Sequence, residues 1–317
     1  MPSEKVMRRI SRVEFVPANF ASLIIALAWA YDNSIDPVGL VLPMFFAIAI
    51  ISLVSIAGAH LNTFSDSELD KKDPTKGALV EALASFGRER LRSLIVLEIL
   101  TSVLAVALLF WIVPRPALLA LYGAAIFFAY AYSMPPFRFK GRSIMAMISL
   151  MLILSIIPIT FTYLVILPAL DPLFLLFLAG QCMIIYGLII PTEIRDHDWD
   201  KGMGISTMTV WLGLGRATLL GIMLMTIGLI LMGAAFFMQS LSMGLALLAV
   251  CLVIPILTIG YVIKQYFSIR SLLTADGGRP AKGGIVALAS KNPRWITLVS
   301  QSIVLICLVL LAAKILF

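Results

Sequence analysis

Nine long runs of apolar residues constrain the fold of this chain more than any other feature of its sequence. Each run is about long enough for an α-helix to cross a hydrocarbon layer ~30 Å thick. Only 13% of the residues are charged, against roughly 25% in a typical soluble domain. The pattern predicts an all-α integral membrane protein, with one membrane-embedded domain over residues 1–317 and nine transmembrane helices. The runs cover residues 16–33, 38–60, 93–113, 116–133, 143–167, 172–192, 217–238, 243–263 and 295–316.

Lysine and arginine are unevenly divided between the segments that join these runs. Of the 24 such residues, all but Arg115 and Lys314 fall on one predicted face. Short cytoplasmic segments carry such an excess, so this face is predicted to be cytoplasmic. The amino terminus would lie inside, without a cleavable signal peptide, and the carboxyl terminus outside. The net charge of +7 is then explained by topology and by contact with anionic membrane lipids, and it does not indicate nucleic acid.

A polar stripe follows the second apolar run, in the stretch NTFSDSELD. Asn62, Asp66 and Asp70 are four residues apart, so on a continuing helix they share one face. Glu68 would point the other way. We therefore expect one amide and two carboxylates to face the same place at the end of a membrane helix.

A second acidic stripe lies in EIRDHDWDKGMGIST, at the end of the sixth run. Asp196 and Asp200 are again four residues apart, and Glu193 falls on the same side of the helix. His60 and His197 adjoin the two stripes without lying on either. We interpret them as a capping or packing residue and as a loop residue.

Facing carboxylates at a membrane border repel one another unless cations lie between them. Oxygen ligands without His or Cys favour Mg²⁺, which takes its remaining ligands from water and from the phosphates of a substrate. We therefore predict a Mg²⁺ cofactor and a diphosphate substrate with an apolar chain. The alternative is a pair of solvated helix ends, but two such motifs in phase at equivalent positions favour metal over that alternative.

A third cytoplasmic stretch, AYAYSMPPFRFKGR, adds two cations. Its two prolines are expected to end the fourth helix and to hold the next residues extended, so that Arg138 and Lys140 point to one side. They would bind the diphosphate, or else serve as ordinary positive-inside anchors. Tyr130 and Tyr132 are either interfacial aromatic residues or the wall beside a developing carbocation.

Together these stretches resemble the motifs of the UbiA superfamily of intramembrane prenyltransferases. NTFSDSELD is similar to its first acidic motif, DHDWD to the second, YSMPPFRFK to its proline loop, and GISTMTVWLG to the segment that follows. The resemblance implies a bundle of nine helices around a central cavity, capped by cytoplasmic loops. It also implies Mg²⁺-dependent transfer of an isoprenoid chain from its diphosphate to an acceptor. By position, it assigns one metal to Asn62, Asp66 and Asp70, a second metal to Asp196 and Asp200, the diphosphate to Arg138 and Lys140, and the family's loop tyrosine to Tyr132.

The acceptor is less constrained by the sequence. RVEFVPANF and PPFRFKGR look most like the branch that prenylates naphthoquinone precursors, whereas GRSIMAM departs from the acidic stretch common in that branch. Asn19 would contact the acceptor or serve as a helix-packing amide. A glycerol-phosphate ether lipid, a carotenoid end and cyclisation without an acceptor are the alternatives. A transporter is disfavoured, because the predicted spans are nearly free of charge at mid-depth.

Overall fold

The structure, a computed structural model, describes residues 4–11, 16–73, 76–241, 244–274 and 282–316. Regular secondary structure in these ranges is helical, apart from an isolated parallel bridge between Arg142 and Ser206. A 3₁₀ turn covers Phe139–Gly141, and a π-helix covers Leu152–Ile156. The α-helices are α1 (Glu4–Ile10), α2 (Val16–Ala30), α3 (Pro37–Asp70), α4 (Gly77–Phe86), α5 (Arg88–Ile112), α6 (Pro116–Ser133), α7 (Ser143–Met151), α8 (Ile157–Ile166), α9 (Pro172–Gly202), α10 (Met208–Leu212), α11 (Leu214–Ser240), α12 (Leu245–Thr274), α13 (Lys282–Ala289) and α14 (Asn292–Leu316).

Eight helical segments in the described ranges are long and apolar enough to cross a membrane. They confirm the prediction of an all-helical, multi-pass membrane protein. The first predicted span forms α2, whose 15 residues are fewer than the ~20 that usually span the hydrocarbon core. Nine spans therefore remain a prediction. The eight segments are Pro37–Asp70, Arg88–Ile112, Pro116–Ser133, Ser143–Ile166, Pro172–Gly202, Leu214–Ser240, Leu245–Thr274 and Gly283–Leu316.

The two helices that carry the acidic stripes begin in the same way. Asp36 accepts hydrogen bonds from the backbone N–H groups of the second and third residues of α3, and Asp171 does the same for α9. A proline follows each aspartate at the first helical position, where its missing N–H costs nothing. With 34 and 31 residues, both helices are longer than the ~20 residues that the hydrocarbon core requires. Their carboxyl-terminal turns can therefore extend beyond the apolar layer.

The chain divides into two compact units. Unit 1 contains Met1–Leu23, Asp36–Arg138 and Ile157–Pro168, and unit 2 contains Ile24–Ile35, Phe139–Ile156 and Ala169–Phe317. The prediction of a single domain stays a prediction.

Unit 1 is built on α3, which packs against α5, α6 and α8. At the end of α3 that carries the stripe, the short helices α1 and α4 pack against each other and against α3. A buried apolar cluster joins these elements. Its buried members are Ile10, Leu61, Ala82, Phe86, Leu91 and Ile95.

Unit 2 is built on α9, which packs along α11, while α11 also contacts α12. Glycine allows the close approach of α9 and α11. A Cβ on Gly180 would lie 2.7 Å from the backbone nitrogen of Met232, and one on Gly228 would lie 2.8 Å from the carbonyl oxygen of Gly180. Small residues at such crossings let helix backbones pack directly in a membrane.

Arg115 and Lys314, the two cations that the sequence places apart from the rest, each bind the last turn of a helix. The guanidinium of Arg115 donates to the carbonyl oxygens of Leu164 and Ile166 at the end of α8. The ammonium of Lys314 donates to the carbonyl of Trp29 at the end of α2, at 3.4 Å. These carbonyls have no partner within their own helix, and the helix dipole favours a cation there.

Candidate active site

In unit 1, the helix continues through the first acidic stripe as predicted, because α3 ends at Asp70. Two cations lie beside its carboxylates. The ammonium of Lys76 is 2.7 Å from Asp70, which is only 4% exposed, and the guanidinium of Arg138 is 3.7 Å from Asp66. Both carboxylates of the first stripe are thus paired with cations.

The amide of the stripe is held by the neighbouring helix. The hydroxyl of Ser133, at the end of α6, donates to the side-chain oxygen of Asn62 at 3.2 Å. From the same helix end, the hydroxyl of Tyr130 donates to the carbonyl of Pro135 at 3.1 Å, and Tyr132 is half-buried. The two predicted tyrosines therefore lie on the same last turn of α6 as Ser133, which binds Asn62.

Glu68 does not share the stripe. Its exposed side chain pairs with Lys71 at 2.8 Å. The helical phase predicted from the sequence is therefore the phase that the structure shows.

The prediction of an extended segment after the two prolines is wrong. The N–H of Arg138 donates to the carbonyl of Met134 at 2.9 Å, which closes a turn around the prolines, and Phe139–Gly141 follow as a 3₁₀ turn. The local preference for extended backbone next to proline is overridden by these hydrogen bonds. Because the segment turns instead of extending, strand geometry gives no reason for Arg138 and Lys140 to point to one side.

In unit 2, the second acidic stripe also lies on a continuing helix. Asp196 and Asp200 fall within α9, which ends at Gly202. The guanidinium of Arg195 donates to both oxygens of Asp196, at 2.7 and 2.8 Å. His197 is helical, so its interpretation as a loop residue is wrong, and it binds Asp198 at 3.0 Å.

Glu193 differs from the two aspartates that follow it. It is 9% exposed, and both its carboxylate oxygens accept hydrogen bonds, from the hydroxyl of Tyr186 and from the backbone N–H of Thr209. Its place on the acidic face was predicted from phase alone. The structure gives it partners inside unit 2.

Three charged residues with buried or paired side chains were not predicted from the sequence. Lys76 and Arg195 pair with predicted site carboxylates, and Glu98 is a buried acid within a span. Lys76 follows a turn at the end of α3, in which the N–H of Asp73 donates to the carbonyl of Asp70 at 3.2 Å. The side chain of Asn19 lies outside the described residues.

The donors of both stripes are oxygens, the type that a hard divalent cation prefers. Within the part of the chain that the structure describes, no group of three or more His, Cys, Asp or Glu side chains could hold a metal ion. Each stripe has two carboxylates, and the first adds the amide of Asn62. Such an incomplete set suits Mg²⁺, which keeps waters and takes substrate phosphates as ligands.

Several solved structures share this fold. A UbiA homolog from Archaeoglobus fulgidus, bound to GPP and Mg²⁺, matches with a TM-score of 0.66 and 17% identity, over 98% of this chain and 100% of the other. A digeranylgeranylglyceryl phosphate synthase matches with a TM-score of 0.66 and 14% identity, over 96% and 99%. The apo UbiA homolog from Aeropyrum pernix K1 matches with a TM-score of 0.56 and 13% identity, over 90% and 98%. At these identities the likeness concerns the fold.

No curated protein matches the sequence. The pattern of the UbiA prenyltransferase family, in contrast, matches residues 19–271, which include both acidic stripes and the proline loop. This match covers most of the chain. The protein therefore belongs to the UbiA prenyltransferase family and is a membrane prenyltransferase.

Proposed function

We propose that the protein transfers an isoprenoid chain from a prenyl diphosphate to a lipophilic acceptor, with Mg²⁺ as cofactor and diphosphate as the second product. The observation that carries this proposal is the pairing of the α3 carboxylates with cations, Asp66 with Arg138 and Asp70 with Lys76. A diphosphate bound through metal needs both kinds of group, oxygens for the metal and cations for the phosphates. GPP and DMAPP, each with Mg²⁺, are bound in structures with the same fold, which supports the proposal.

The carboxylates of Asp66 and Asp70, with the amide of Asn62, would hold one ion, and those of Asp196 and Asp200 a second. When bound, Mg²⁺ would neutralise the charge that develops on the diphosphate. The cations that now pair with Asp66 and Asp70 would then be released to bind phosphate oxygens. Arg138 is suited to this role, because a guanidinium donates two parallel hydrogen bonds to a phosphate.

The reaction breaks the allylic C–O bond, and the electron pair leaves with the diphosphate. The acceptor's nucleophilic atom forms the new bond to the prenyl carbon and loses a proton. Fixed cations such as Arg138 and Lys140 stabilise the leaving group most where water is excluded. The rings of Tyr130 and Tyr132 would face the cationic prenyl carbons.

We further propose that nine helices form a bundle around a central cavity, with the amino terminus and the site-bearing loops in the cytoplasm. The division of Lys and Arg between the two faces supports this orientation. The helix α2 would be the first span, tilted little and completed by the residues that flank it.

An aromatic quinone precursor is the acceptor that the sequence favours. A glycerol-phosphate ether lipid is the second candidate, and the likeness in fold to a digeranylgeranylglyceryl phosphate synthase favours it. Both acceptors present an oxygen or a ring carbon to the prenyl cation, so the metal and diphosphate chemistry is the same for either.

The test is an assay of purified protein in lipid nanodiscs with Mg²⁺ and labelled prenyl diphosphates of several lengths. Separate arms contain an aromatic quinone precursor, a prenylated glycerol phosphate, or no acceptor, and products are identified by mass spectrometry. A prenylated aromatic product is expected. Release of diphosphate only with the glycerol phosphate would show that this lipid, and not an aromatic ring, is the acceptor. No release in any arm would contradict the proposal.

A further inference from the structure

The buried carboxylate of Glu193 fastens the start of α10 to α9. One oxygen accepts from the hydroxyl of Tyr186 at 3.0 Å, and the other from the N–H of Thr209 at 3.3 Å. The carbonyl of Glu193 also accepts from the hydroxyl of Thr209, at 3.1 Å. Tyr186 and Thr209 are fully buried. Glu193 lies one helical turn before Asp196, so these bonds fix the helix just where the second stripe begins.

The residues that connect α9 to α10 turn back on the stripe. The N–H of Ile205 donates to the carbonyl of Asp200 at 2.8 Å. Gly204 has a φ of 69°, in the left-handed region that glycine adopts without strain. The connection is therefore held to the last turn of α9 as well as to Glu193.

The same connection is bound to the loop that carries Lys140. The N–H of Ser143 donates to the carbonyl of Ser206 at 2.7 Å, and their hydroxyls are 2.9 Å apart. Arg142 and Ser206 also form the isolated bridge. Ser143 begins α7, two residues after the end of the 3₁₀ turn that contains Lys140.

From these contacts we infer that residues 203–209 act as a strap that sets the position of the Asp196 and Asp200 carboxylates relative to Lys140, with Glu193 as its positioning residue. This inference rests on the proposed function of the stripe. All its members belong to unit 2. Glu193 acts through its neighbours, since its own oxygens are occupied by Tyr186 and Thr209.

The strap matters because a metal site binds well only when its ligands are held in place. Groups that orient metal ligands typically change metal affinity or activity by about 10- to 100-fold when they are removed. A diphosphate that bridges metal and Lys140 would require the carboxylates and the ammonium to keep a fixed separation. Without the strap, the final turns of α9 would have fewer bonds to the Lys140 loop.

The first test is Glu193→Gln, which keeps the shape of the side chain. Its amide NH₂ replaces one of the two oxygens that now accept from Tyr186 and Thr209, so one accepted hydrogen bond is lost. Mn²⁺ binding in the presence of inorganic diphosphate is measured by electron paramagnetic resonance on folded protein in nanodiscs. We expect affinity to fall about 10-fold or more, with a matching rise in the Mg²⁺ concentration for half-maximal turnover. Turnover at saturating Mg²⁺ should approach that of the parent protein.

Asp198→Asn is the matched control, because it removes an exposed carboxylate from the same helix and should leave Mn²⁺ affinity unchanged. Tyr186→Phe is the second variant if Glu193→Gln does not fold, since it removes one hydroxyl and should weaken Mn²⁺ binding in the same direction. Parent-like Mn²⁺ affinity in folded Glu193→Gln or Tyr186→Phe, even with a lower melting temperature, would overturn the strap. Absence of Mn²⁺ binding and of turnover in the parent protein would instead contradict the proposed function.

Discussion

The imidazole of His60 and the carboxylate of Glu98 form a buried hydrogen-bonded pair, with Nδ1 2.9 Å from Oε2. The other ring nitrogen of His60 binds the hydroxyl of Ser11 at 3.0 Å. The pair thus joins α3 to α5, and His60 also joins α3 to the residue that follows α1. His60 is fully buried and Glu98 is 9% exposed, so Glu98 supplies one of the two polar partners of a buried imidazole.

Removing one member of this pair should destabilise the protein more than removing both. Glu98→Ala leaves a buried imidazole N–H without its acceptor, for which a loss of about 1–3 kcal/mol is expected. The double variant His60→Leu with Glu98→Leu replaces both polar groups by apolar ones and should cost much less. Thermal unfolding of the detergent-solubilised variants measures this. Equal losses for the single and the double variant would contradict the expectation.

Helical phase, rather than acidity alone, should decide which carboxylates matter for turnover. Asp66→Ala, Asp70→Ala, Asp196→Ala and Asp200→Ala are each expected to lower the rate on the order of 100-fold or more, because each removes a proposed ligand of the metal that stabilises the leaving diphosphate. Turnover is measured per amount of folded, inserted protein.

The controls for phase are Glu68→Ala and Asp198→Ala, which change exposed acids on the same helices. Both variants should retain most of the activity. If Glu68→Ala proved as damaging as Asp66→Ala at equal abundance, the assignment of ligands by spacing would have to be abandoned.

Metal removal should stop the reaction. A chelator is expected to abolish diphosphate release, and Mg²⁺ or Mn²⁺ should restore it, since both suit oxygen ligands. Release of diphosphate is followed in a coupled colorimetric assay that itself tolerates the chelator. Full activity in excess chelator would contradict a metal-dependent mechanism.

The proposed orientation can be tested by labelling single cysteines in sealed vesicles. Native Cys182, Cys251 and Cys307 are buried, so a membrane-impermeant maleimide should react with new exposed sites. Glu68→Cys, at a side chain that is 70% exposed, should be labelled only from the cytoplasmic side. Leu241→Cys, at a residue that is 61% exposed and lies between two predicted spans, should be labelled only from outside. The reverse pattern would invert the topology.

The local part of the site followed from the sequence. Spacing of four residues placed Asn62, Asp66 and Asp70 on one face and Glu68 off it, because helical phase depends only on the continuation of the helix. The continuation of α9 through Asp196 and Asp200 could be predicted in the same way.

Contacts between distant residues could not be predicted from these patterns. The partners of Glu193 and Glu98 depend on how helices pack, and no spacing within one helix records that. The turn at Arg138 shows a different limit, since a hydrogen bond to Met134 overrode the extended backbone that prolines favour. Sequence periodicity gives the face of a helix, while the packed chain decides what meets that face.

The binding of Arg115 and Lys314 to helix ends bears on how the chain enters the membrane during synthesis. In the proposed orientation, these are the two basic side chains that must be carried across the bilayer, and each translocated charge opposes the potential by about 2.3 kcal/mol per 100 mV. Once α8 and α2 have formed, their terminal carbonyls offer these cations a partner on the far side. Each of these cations can thus bind the end of a helix on the outer side. With only two such residues there, the excess of Lys and Arg that keeps loops in the cytoplasm stays on the other face.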